Sequence, residues 1–223
     1  MGDVSPRADE ALGSLCEAYW YPLYAYLRGR GYNPDAAQDL TQAFFARLLE
    51  KDRRVLRQAD PARGRFRSFL LVSLKNFAAH EHERGLAMKR GGGVPELSLA
   101  FDAAEGRFQL EPPSDETPER VFDRRWAATL LDRVLTRLRE QTTRGGRQRH
   151  FERLKVYLTG EQPQVSYAEA AAELGISQGA VKVAVHRLRR QFRDLLREEI
   201  EQTVSSPDDV ENEMRHLWSA VAR

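Results

Sequence analysis

The sequence predicts an all-α protein: two small helical domains joined by a long linker, the second containing a helix-turn-helix. Three observations lead there. Apolar residues return at i, i+3, i+4 and i+7 through the long patterned stretches, the period of an amphipathic helix. Residues 89–117 carry no such period; they open on KRGGG and hold three prolines, as a linker does. Finally, 167–190 reads YAEAAAELGISQGAVKVAVHRLRR, a short helix, a glycine and a second helix. The expected division is 10–88, an N-terminal helical domain; 89–117, the linker; 118–200, a C-terminal helical domain; and 201–223, a C-terminal extension.

Taken in order, the first dozen residues read as a lead-in. From Ser14 a helix is expected, with Leu15, Tyr19, Leu23, Tyr26 and Leu27 on one face. Pro22 lies inside it, so a kink or restart is expected there. Gly29, Gly31, Asn33 and Pro34 end the run, and Asn33 or Asp35 caps the next helix, 35–50, whose inner stripe is Ala36, Leu40, Phe44 and Leu48. Residues 51–67 are arginine-rich and broken by Asp60-Pro61 and Gly64. A third amphipathic helix runs over 66–84. Within the linker, 97–101 could form a short turn or strand.

Thr117 and Pro118 are a capping threonine and a proline at the first helical position. The long helix they start carries Val121, Phe122, Trp126, Leu130, Leu131, Val134, Leu135 and Leu138. A basic loop at 142–149 and a helix at 151–158 follow. Gly175 then ends a short helix, because glycine takes a left-handed backbone without strain. Ile176 is expected as a buried plug and Ser177 as the cap of the next helix. Val181, Ala184, Val185 and Leu188 form that helix's apolar stripe. Its other face bears Gln178, Lys182, His186, Arg189 and Arg190. It continues to Ile200, and Ser206-Pro207 restarts a last helix with Val210, Met214, Leu217 and Trp218 at helical spacing.

Composition narrows the function classes. There are 35 Lys+Arg against 33 Asp+Glu, a net charge of +2, so any nucleic-acid contact must come from local basic patches. Cys16 is the only cysteine, which excludes a disulfide framework and a thiolate metal cluster. Among Leu12, Leu15 and Tyr19 it reads as a buried structural thiol. No apolar run is long enough for a signal peptide or a membrane span, so a cytoplasmic location and no membrane partner are expected. No P-loop or glycine-rich dinucleotide fingerprint appears. His80 and His82 are two apart, the wrong spacing for one helical face. Neither a cofactor nor a metal nor a catalytic constellation is expected: the protein is not read as an enzyme.

Three stretches resemble, in order, the extracytoplasmic-function sigma factors, the smallest group of the sigma-70 family of bacterial RNA polymerase initiation subunits. Asp39-Leu40-x-Gln42-x-x-Phe45 is similar to the family's polymerase-binding helix. Gly64-Arg65-Phe66-Arg67-Ser68-Phe69-Leu70, running on to Lys75-Asn76, is similar to its promoter-melting helix. The helix-turn-helix stretch is similar to the domain that reads the upstream promoter element. The resemblance covers 10–85 and 118–200.

The resemblance implies core-polymerase binding through Asp39, Leu40, Gln42 and Phe45. It implies melting of the downstream element by Arg57, Arg63, Arg65, Phe66, Arg67, Lys75 and Asn76. It implies upstream-element binding by Ser177, Gln178, Gly179, Lys182, His186, Arg187, Arg189 and Arg190. The implied partners are bacterial core RNA polymerase and promoter DNA, duplex and melted, with an anti-sigma factor as one form of control. The extension at 201–223 is an alternative inhibitor in cis, or a cap on the second domain.

Elementary chemistry suits these roles. Capturing unstacked bases needs apolar or aromatic surfaces beside cations, which 53–76 supplies. Gln178 and Lys182 at a helix start can reach base edges, and the arginines can neutralise phosphates. Phe44 and Phe45 are adjacent, so one is expected to point outward as an interface anchor; a wide core stripe fits the spacing equally well. The competing function is a stand-alone helix-turn-helix regulator, which would need neither the 35–50 motif nor the arginine-aromatic segment.

Overall fold

The structure, a computed structural model, describes residues 6–50, 66–85, 105–106, 108–109, 116–158, 165–204 and 206–222. Their regular elements are all helical. These are α1 (Pro6–Gly29), α2 (Pro34–Glu50), α3 (Phe66–Gly85), α4 (Pro118–Arg144), α5 (Gln148–Leu154), a 3-10 turn (Lys155–Tyr157), α6 (Tyr167–Leu174), α7 (Gln178–Glu201) and α8 (Pro207–Val221). No helix among the described residues is long and apolar enough to cross a membrane.

Local chemistry explains most of the boundaries. α1 starts earlier than expected, at Pro6, a residue suited to a helix's first turn because its missing N–H has no intrahelical partner there. It also runs through Pro22 rather than restarting; that ring is buried in the core, which offsets the lost backbone bond. Of the two expected caps of α2, Asn33 and Asp35, it is Asn33 that serves, its Oδ1 accepting from the Ala36 N–H at 2.8 Å. Thr117 does the same for Arg120 at the start of α4, at 3.4 Å. Ser206 caps α8 through the Asp209 N–H, at 3.2 Å. The helix expected over 151–158 begins earlier, at Gln148, and finishes in the 3-10 turn.

By packing, the chain divides into two units, Met1–Thr129 with Thr203–Arg223, and Leu130–Gln202. The boundaries expected at 118 and 201 are therefore displaced. The first part of α4 joins the N-terminal unit because Phe122 and Trp126 are buried there, Trp126 donating from Nε1 to the Tyr19 hydroxyl at 3.3 Å. α8 joins it too: Val210, Glu213 and Leu217 are buried, and Glu213 binds Arg67 at 2.8 Å. The extension is thus part of the first unit's core.

In this first unit α1 packs on α2 and α2 on α3. Leu23, Ala25, Leu27, Phe45, Leu70 and Leu74 are fully enclosed, and Cys16 is buried as expected. Part of the expected linker is tied to α1. Glu105 takes a hydrogen bond from the Tyr24 hydroxyl and an ion pair from Arg28 at 3.0 Å, and the Arg28 guanidinium lies 5.0 Å over the Phe108 ring. The turn or strand expected at 97–101 lies outside the described residues.

The second unit builds its core from Val134 and Leu138 of α4, Phe151 and Leu154 of α5, Ala170 and Ala171 of α6, and the inner stripe of α7. Tyr157 stacks on Tyr167 at 5.0 Å and donates to the Val165 carbonyl at 3.0 Å, which fixes the approach to α6. Farther along α7, Glu199 is buried and held by Arg137 at 2.6 Å.

Candidate nucleic-acid interface

The α6–α7 junction follows from three residues. Ser166 and Glu169 form a reciprocal capping box: the serine accepts from the Glu169 N–H at 3.2 Å, and the Glu169 carboxylate accepts from the Ser166 N–H at 2.7 Å. The latter bond, followed by the serine hydroxyl, holds the Glu169 carboxyl below its usual range. This box was readable as Ser-x-x-Glu, a signal the sequence reading passed over. At the other end Gly175 is left-handed, φ 67°, and the Ile176 N–H closes back on the Ala171 carbonyl at 3.1 Å. Ile176, expected as a buried plug, is half-buried. Ser177 then caps α7 by accepting from the Ala180 N–H at 3.2 Å.

α7 is divided cleanly by environment. Val181, Val185, Leu188 and Phe192 are buried; Ala184, expected in that stripe, is half-buried. All eight residues expected to meet duplex DNA are exposed: Ser177, Gln178, Gly179, Lys182, His186, Arg187, Arg189 and Arg190. From Gln178 to Arg193 there are five Lys or Arg and no Asp or Glu. Among the described residues, the exposed Lys182, His186 and Arg187 meet no carboxylate. Two neighbours are partly committed. Arg189 donates from Nε to the Tyr157 carbonyl at 2.9 Å, and Arg190 lies 3.9 Å from Asp194. Ser177 spends its oxygen on the cap. On one flank a cavity of about 160 Å³ is lined by Arg147, His150 and Arg187 above Phe151, Leu154 and Leu188.

The melting residues fare differently. Arg57, Arg63 and Arg65 lie outside the described residues. Arg67 is buried, 6% exposed, and cannot serve as a DNA contact in this structure. It pairs with Asp123 and with Glu213 at 2.8 Å, and its guanidinium lies 5.0 Å over the Trp126 ring. The reason is tertiary: carboxylates 56 and 146 residues away in sequence converge on it. Phe66 is half-buried with its ring edge-on to Tyr19 at 5.6 Å. Lys75 pairs with Glu119 at 2.7 Å, which holds that carboxyl below its usual range. Asn76 alone of the described melting residues is exposed. It edges a cavity of about 280 Å³ with Phe44, Phe77, Arg47, Ser73 and His80.

The α2 motif is likewise only partly accessible. Asp39 is exposed and Leu40 and Gln42 are half-buried. Phe45 is fully buried and Phe44 only 4% exposed, so neither ring is the expected outward anchor. About 100° separates successive helical positions, and the inner face of α2, which also holds Ala37, Thr41 and Leu48, is broad enough to take both. Phe44 meets Phe77 of α3 at 5.8 Å.

Among the described residues no group of three or more His, Cys, Asp or Glu could hold a metal ion. Comparison with protein-family models, curated proteins and solved structures gave no match for the chain.

Proposed function

We propose that this chain is a dissociable initiation subunit of the extracytoplasmic-function sigma type, with α6 and α7 as a helix-turn-helix reading an upstream promoter element. The observation that carries the DNA-binding part is the exposed, acid-free stretch of α7 from Gln178 to Arg193 behind a left-handed glycine turn. An α-helix fits the major groove, and side chains at its start meet base edges while later cations take phosphates. Gln178 and Lys182 are the base-reading candidates on that geometry; Arg187, Arg190 and Arg193 are the phosphate candidates.

The sigma reading, as against a stand-alone regulator, rests on the order of the three motifs. Polymerase contact falls to Asp39, Leu40 and Gln42, with Phe45 shaping the helix from inside. Strand capture falls to Asn76 and its neighbouring cavity with Arg57, Arg63 and Arg65, while Arg67 organises the unit. The partners on this reading are core RNA polymerase, promoter DNA as duplex and melted strand, and an anti-sigma protein. They place the protein in the cytoplasm.

The test is run-off transcription on pooled genomic fragments by bacterial core polymerase, with and without the protein. Discrete new transcripts, lost in Asp39→Ala, are expected. Sequence-specific duplex binding with neither transcripts nor co-migration with core polymerase would replace this reading with the stand-alone regulator.

A further inference from the structure

Among the exposed residues in the first four turns of α7, Val183 is the one large apolar side chain. Val183 is 50% exposed, the most open large apolar side chain of the second unit. At about 100° per residue it points almost directly away from the buried stripe of Val181, Val185, Leu188 and Phe192. It shares that outermost line with Gly179, His186 and Arg190. Packing within the unit does not account for a valine there. Helix propensity does not either, since alanine is the better helix former.

Its surroundings define a shallow notch. Lys182, His186 and Arg187 are longer side chains around it. One turn earlier stands Gly179, where an added Cβ would meet nothing nearer than the Ser177 hydroxyl at 3.8 Å. The floor beside Val183 is therefore open to close approach. A β-branched side chain in a helix is nearly fixed at χ1, so its methyls are presented without an ordering cost on binding. In the major groove the apolar feature of a base edge is the 5-methyl of thymine.

We propose that Val183 is a specificity-determining contact that takes the pyrimidine 5-methyl of a thymine in the DNA read by α7. This rests on the DNA-binding reading above. It predicts a required thymine at one position of the bound site, recognised by its methyl and not by a hydrogen bond.

Full-length protein, alone and with core polymerase, is used to select duplexes from a random pool. Each conserved thymine of the selected site is then replaced by deoxyuridine, which removes only the methyl. The wild type should lose about fourfold in affinity at one position, the worth of one buried methyl (about 0.8 kcal/mol). Val183→Ala should bind more weakly and show no further loss at that position. Arg187→Ala should keep the uracil sensitivity while its salt dependence flattens, by about one phosphate contact. At the same position, cytosine against 5-methylcytosine tells a methyl read alone from a thymine read. If Val183→Ala keeps the wild-type sensitivity to uracil, or no thymine methyl matters, the proposal is overturned and DNA binding stands. If no sequence is enriched in either arm, the DNA-binding reading itself falls.

Discussion

Tyr19 is a buried phenol of the first unit, 2% exposed. Burial, more than any charge near it, pushes its pKa up to about 12, the Trp126 hydrogen bond acting the other way. An acid whose folded pKa exceeds its unfolded value of about 10 keeps its proton longer in the folded state. Its contribution is whole below pH about 10 and disappears as pH rises through the folded pKa. Two pKa units correspond to about 3 kcal/mol. Tyr19's share of the stability measured by urea should therefore be lost as pH rises from 10 through 12, beside the losses of Tyr24, Tyr26 and Tyr157, whose pKa values burial also raises, and Tyr19→Phe should flatten the decline. An unchanged slope in the variant would assign the loss to other groups.

At the scale of elements, the α6–α7 turn depends on Gly175. A Cβ there would meet nothing within 4 Å, so space is not the constraint; the left-handed backbone is. Gly175→Ala should cost about 1–2 kcal/mol, and Gly175→Asn less, because asparagine tolerates that conformation. Thermal melts of the two variants check the order. Alanine equal to glycine would mean the turn reshapes freely, and α7 would then lack a fixed presentation to DNA. α7 itself is divided between an inner stripe that holds the unit and an outer line that is exposed.

For the whole molecule, α8 is the element whose place changes the account. Glu213 is 1% exposed and faces Arg67, with Asp123 on the same guanidinium and His216 3.1 Å from Asp123. Removing one partner of a buried pair leaves the other charge poorly compensated. Glu213→Gln should cost about 3 kcal/mol, somewhat less if Asp123 shares the load. Truncation before Pro207 should cost more, since Leu217 and Val210 leave the core as well. Hydrogen exchange should then show lost protection in α1 and α3, with α5 to α7 keeping theirs. Loss confined to α7 would return α8 to the role of a cap on the second unit. Any transcription test by truncation reads this destabilisation first, so Glu213→Gln is the cleaner probe of α8.

By itself the sequence determined the helical class, the α2, α3 and α7 ranges to within about two residues, the Thr117 and Ser177 caps and the left-handed Gly175, and narrowed the α2 cap to Asn33 or Asp35. These depend on contacts within one or two turns, and such contacts are written in neighbouring residues. The exposed face of α7, with Gln178, Lys182, His186, Arg189 and Arg190, was legible for the same reason; Val183 on that face was passed over. Only the tertiary structure decided that Phe45 is core, that Arg67 is enclosed by Asp123 and Glu213, and that α8 completes the first unit. Nothing local distinguishes an arginine facing DNA from one facing a carboxylate 146 residues away. Periodicity assigns a residue to a helix face; what covers that face is settled when distant segments pack.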